Sequence, residues 1–167
     1  MNALVTTLAT LLVPGVACFI VPYYILRATH QPMLRAMGLV QIAALPLAAV
    51  GVAMVVWVSF SFVRHGRGTP MPLDPPKRFV SHGLYRWVRN PMYVGALLVL
   101  LAVVIFTGSL WILVYTAGLW AALHTFTVLL EEPQLKRRFG ATYETYLKEV
   151  PRWIPRAPGI RASGESL

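Results

Sequence analysis

Four apolar stretches, at roughly 3–26, 37–63, 91–108 and 109–130, limit what this chain can fold into. A helix needs about 20 residues to cross the hydrocarbon core of a bilayer, within a range near 17–25. Three of the stretches meet that length, and the one at 91–108 sits at its short limit. With 57% hydrophobic and only 13% charged residues, the chain lacks the polar surface a water-soluble domain needs, which is roughly a quarter charged. The expected fold is all-α: a polytopic membrane helical bundle of about four transmembrane helices.

The breaks between the stretches organise the rest. Gly108-Ser109 separates the last two without a charge, so they read as a tight helical hairpin. Residues 64–82 are dense in proline and glycine, and proline fixes its own φ and keeps the preceding residue extended, which makes this a structured loop. Beyond Glu132, the residues Leu135, Phe139, Tyr143, Tyr146 and Val150 recur at helical spacing among Lys136, Arg137, Arg138 and Lys148. That pattern predicts a C-terminal amphipathic helix lying at the headgroup level. The chain divides into two N-terminal transmembrane helices (1–63), a core (64–156) and a tail (157–167).

The net charge of +9 would suggest nucleic acid in a soluble protein, but its placement points to a membrane. Of 15 Lys and Arg, six lie in 64–91 and seven after residue 130. By the positive-inside rule that clustering marks a cytoplasmic face, where anionic headgroups add to the attraction. Only Arg27 and Arg35 fall on the other side. The expected partner is therefore the lipid bilayer and no nucleic acid. The lone cysteine, Cys18, precludes an internal disulfide, and no His-x-x-His or Cys pair supports a metal site.

Candidate chemistry gathers at two places. In the run from Gly83 to Gly95, Asn90-Pro91 starts the third apolar helix, Asn being a preferred cap and Pro a preferred first residue. A helix N-terminus presents free N–H groups and partial positive charge, which Arg86 and Arg89 would reinforce for an anion. Tyr85 and Tyr93 bracket the step and can stack on a flat base or sit beside a cation. The second place is Glu131-Glu132, two of only six acids in the chain. Adjacent helical acids point about 100° apart, so one can face inward while the other faces the basic loop. His124, Thr127 and Glu131 fall on one helical stripe that would line a polar cavity.

In order and spacing, Gly83-x-Tyr85, Arg89-Asn90-Pro91-x-Tyr93-x-Gly95, Glu131-Glu132, Phe139-Gly140-x-x-Tyr143-x-x-Tyr146 and Val150-Pro151-Arg152 resemble the isoprenylcysteine carboxyl methyltransferase family. The same core is similar to the membrane phospholipid N-methyltransferases. The resemblance covers about residues 64–156. It implies an integral membrane enzyme, with its site facing the cytoplasm, that uses S-adenosylmethionine (SAM) without a Gly-rich loop. It also implies that Lys77, Arg78, Phe79, Val80, Tyr85, Asn90, Pro91, Met92, Tyr93 and Glu131 hold the cofactor. The acceptor would be a lipophilic small molecule or lipidated substrate, an isoprenylcysteine-like carboxylate or a phospholipid amine. Two positions depart from the family pattern: Asn90 replaces the usual His, and Thr127 stands where prenylcysteine enzymes carry Arg. Alternative readings are an NADPH-dependent membrane reductase of the steroid-reductase type and a non-enzymatic small membrane protein.

Overall fold

The computed structural model describes residues 12–33, 37–65 and 82–157. Helix α1 runs over Leu12–Ala28 and α2 over Leu39–His65. A short 3₁₀ turn, Gly83–Arg86, leads into α3, Pro91–Thr107. Helix α4 covers Leu110–Phe126 and passes through a π-helical turn, Thr127–Glu131, into α5, Glu132–Phe139. Helix α6 spans Ala141–Glu149. Every regular element among the described residues is helical.

Two helices are long and apolar enough to cross a membrane: Leu39–Ser61, with mean hydropathy 2.3, and the continuous Leu110–Phe139, with 1.6. Only 11% and 17% of their most apolar windows is buried within the protein. A core helix of a water-soluble fold shows the reverse, so these surfaces need lipid around them. Helices α1 and α3 are apolar but shorter. At 1.5 Å per residue, α3 reaches about 25 Å against a hydrocarbon core of about 30 Å.

Helix α3 is the centre of the bundle. Val94, Gly95, Ala96, Val99, Leu100 and Ala102 are all buried, so α3 is enclosed on several sides. It packs antiparallel against α2, with the closest approach at a pair of glycines. A Cβ on Gly51 would lie 2.6 Å from the Gly95 carbonyl oxygen, and one on Gly95 2.8 Å from that of Gly51. Lipid offers no apolar driving force between helices, so backbones must come close enough for dispersion contacts, and glycine permits it. Gly95→Leu should push α2 and α3 apart and cost about 1–3 kcal/mol. A lowered unfolding midpoint in detergent would show it; an unchanged midpoint would mean the crossing is not tight.

The first helix solves a proline problem on its way through the bundle. Val16–Ile20 is a π-helical turn in which the Val21 amide reaches back to the Val16 carbonyl. In that register Ala17 would look to residue 22, but Pro22 has no N–H. The Tyr115 hydroxyl of α4 instead donates to the Ala17 carbonyl at 2.9 Å. Neighbouring side chains and local π turns commonly satisfy carbonyls orphaned by proline in membrane helices. Cys18 packs beside this joint with Ala96, Val99 and Leu100, its thiol 3.5 Å from the Ala96 carbonyl.

The predicted hairpin is present: Gly108 takes the left-handed conformation, φ 60°, and Ser109 accepts from the Ile112 amide to cap α4. The expected single amphipathic helix after Glu132 is broken into α5 and α6. At Gly140 the backbone turns to φ 53° and ψ −132°, a conformation a helix cannot continue through. The apolar stripe survives the break. Tyr143, Tyr146 and Val150 are buried together against Leu135 and Phe139, forming a second small core.

Candidate functional site

One end of the bundle brings together the turn at Gly83–Arg86, the start of α3, the π turn Thr127–Glu131 and the segment after α6. Glu132 organises it. Its Oε1 accepts from Arg89 Nη1 at 2.7 Å and from Arg152 Nε at 2.8 Å, while Oε2 accepts from Arg152 Nη2 at 2.9 Å. The Arg152 contact is thus a two-pronged guanidinium–carboxylate pair, the geometry that arginine's planar fork suits. Its hydrogen bonds with Glu132 hold the Arg152 guanidinium above its ordinary range. Glu132 is itself buried. Arg89 therefore gives its Nη1 to a carboxylate of the protein itself. Arg86 is exposed.

Main-chain bonds tie the same segments together. The Arg89 amide donates to the Pro151 carbonyl at 2.9 Å, and the Arg156 amide to the Trp87 carbonyl at 3.0 Å. The Tyr146 hydroxyl donates to the Tyr85 carbonyl at 2.7 Å. Burial is the first cause that pushes the phenols of Tyr85, Tyr143 and Tyr146 up. The second is Glu131 for Tyr85, Glu132 for Tyr143 and Tyr143 for Tyr146. All three keep their protons at neutral pH, so none serves as a phenolate base.

Glu131 lies one residue away and is placed differently. Tyr93 and Thr127 are within hydrogen-bonding reach of its carboxylate. These contacts leave Glu131 Oε2 without a well-formed hydrogen bond, and Thr127 Oγ1 likewise. Arg89 Nε and Asn90 Nδ2 are also buried and unpartnered. Among the described residues, four of the five such side-chain atoms thus belong to this one end. An unmet buried polar group costs about 1–3 kcal/mol, so such groups rarely collect without a ligand to meet them.

The predicted site residues fall into three groups. Tyr85, Asn90, Pro91, Met92, Tyr93 and Glu131 come to this end of the bundle, on the 3₁₀ turn, the first turn of α3 and the π turn. Lys77, Arg78, Phe79 and Val80 lie outside the described residues. His124 leaves the expected stripe: its Nδ1 accepts from Trp153 Nε1 at 3.1 Å, and its ring stacks on Trp120. Asn90 stands at the cap position of α3, yet its side chain makes no capping bond. Its backbone, at φ −119° and ψ 61°, leaves the amide buried beside the site instead. Spacing gave no signal for the partnership of Glu132 with Arg89 and Arg152, 43 and 20 residues away. Arg152 was visible only as part of the Val-Pro-Arg element.

The profile of the phospholipid methyltransferase family matches residues 39–142, more than half of the sequence. The chain belongs to that family. A protein-S-isoprenylcysteine O-methyltransferase of Schizosaccharomyces pombe (strain 972 / ATCC 24843) is 35% identical over 79 residues. That match covers 47% of this chain and 34% of the yeast protein, so it spans about a third of that relative's length. No solved structure matches.

Proposed function

We propose that this chain is an integral membrane methyltransferase that moves a methyl group from SAM to a lipophilic acceptor, an isoprenylcysteine-like carboxylate or a phospholipid amine. Family membership supports the reaction class. The observation that carries the site is the set of unmet groups on Arg89, Asn90, Thr127 and Glu131. Their chemistry fits SAM: Asn90 Nδ2 and Arg89 Nε are donors for a carboxylate, and Glu131 Oε2 is an acceptor for an ammonium or hydroxyl. Tyr85 and Tyr93 supply ring faces for a purine or a sulfonium. Pro91 and Met92, in the first turn of α3, complete the wall.

When bound, SAM supplies an electrophilic methyl group on sulfur. The protein's contribution is orientation, which in favourable cases is worth about 7–11 kcal/mol. A carboxylate acceptor needs no base. An amine acceptor must lose a proton, and Glu131 is then the group placed to accept it. His124, engaged with Trp153, is not.

In the bilayer, α1 to α4 are the four spans and the shorter α3 is protected by its neighbours. Helices α5 and α6 lie at the headgroups, with the basic end facing the cytoplasm. Calorimetric titration of detergent-purified protein with SAM, S-adenosylhomocysteine and NADPH tests the reading, followed by incubation with labelled SAM and membrane lipid extract. Binding of SAM and its demethylated product is expected, with label passing to a lipid. Tight NADPH binding with no SAM binding would remove the proposal in favour of a reductase.

A further inference from the structure

The segment after α6 links the elements that carry the candidate site. Val150 is buried in the small core of α5 and α6. Pro151 and Arg156 then hydrogen-bond through main chain to Arg89 and Trp87, on either side of Val88, which is 1% exposed. Between those two bonds, Arg152 grips Glu132 with both prongs and Trp153 donates to His124 on α4. The strap therefore touches three elements: the loop before α3, the first turn of α5 and α4.

The position of the strap ties it to the site. Arg89 is the residue before Asn90, and Glu132 is the residue after Glu131. The Arg89–Glu132–Arg152 bridge thus fixes the two backbone points from which the unmet Asn90 amide and Glu131 carboxylate project. The bridge is well shielded, with side chains of Arg89, Glu132 and Arg152 14%, 11% and 26% exposed. Removing one member of such a set strands the others, so it behaves as a unit.

We infer that Arg152 is a positioning residue: through Glu132 and Arg89 it holds residues 150–156 as a strap that sets Asn90 and Glu131 at the spacing the cofactor site requires. This rests on the cofactor reading above, with Arg152 acting from outside the site. Arg152 touches Glu132, whereas the Glu131 carboxylate's own partners are Tyr93 and Thr127. Lysine keeps the charge but not the fork, so Arg152→Lys should restore only part of what Arg152→Met removes.

The test uses the full-length protein in detergent, wild type against Arg152→Met and Arg152→Lys, with two readouts. Hydrogen exchange reports the strap: in Arg152→Met the amides of Arg89 and Arg156 should exchange about tenfold faster or more, with α2 and α3 unchanged. Calorimetry with S-adenosylhomocysteine reports the site: affinity should fall about tenfold or more in Arg152→Met and less in Arg152→Lys. Unchanged exchange at both amides overturns the strap. Faster exchange with full affinity overturns the positioning role. If α2 and α3 also lose protection, Arg152→Lys supplies the comparison: affinity that follows global protection in both variants overturns the inference, and affinity that follows Arg89 and Arg156 protection supports it. If wild-type protein binds no S-adenosylhomocysteine, the cofactor reading fails and positioning with it, while the exchange result separately decides whether the strap exists.

Discussion

Glu132→Ala should be among the most damaging substitutions in this chain, lowering stability by about 3–5 kcal/mol. Three hydrogen bonds to two guanidiniums vanish together, and both cations are left shielded from water with no counter-charge. The loss falls on a joint as well as on a pair, because the loop before α3, α5 and the strap all meet at this carboxylate. Glu132→Gln keeps the volume and one acceptor oxygen, so it should lose less. The check is the unfolding midpoint in detergent for the three proteins. Equal midpoints would mean that water reaches the bridge and that it contributes little.

Glu131→Gln should do the opposite: leave stability unchanged or raised, and weaken SAM binding about 10- to 100-fold. Its carboxylate is shielded and one oxygen is unmet, so removing the charge relieves a cost in the ligand-free protein. The same change takes away the acceptor proposed for an ammonium or hydroxyl, and hydrogen bonds to charged groups are worth about 1.5–3 kcal/mol. Calorimetry and thermal unfolding on one preparation would separate the effects. A variant that binds SAM as wild type does would take Glu131 out of the site. A strained group kept at a stability cost is the pattern expected where function outweighs folding. Adjacent glutamates in one helix would then do unlike work, one holding the fold and the other the ligand.

Much of this end of the molecule was legible from residue order. Asn-Pro placed the start of α3 correctly, and Gly-Ser placed the hairpin. The tyrosines after Phe139 were also read correctly as one apolar stripe. Other expectations failed for specific reasons. Asn90 was expected to cap, but a cap needs its side chain turned back to the helix, and here it is buried elsewhere. His124 was expected to share a stripe with Thr127 and Glu131, but Trp153 engages its ring while Thr127 and Glu131 stay together. Gly140 breaks what periodicity had joined.

Apolar run length, charge placement and a handful of ordered motifs are local properties, and by themselves they determined a helical protein that needs lipid and its membership of a methyltransferase family. Pairing is not local. Arg89, Glu132 and Arg152 meet because α3, the π turn and the strap are brought to one end by the packing of α3 against α2 and α4. Only that packing separated the glutamate that is satisfied from the one that is not, since both carry the same charge and differ only in which groups reach them.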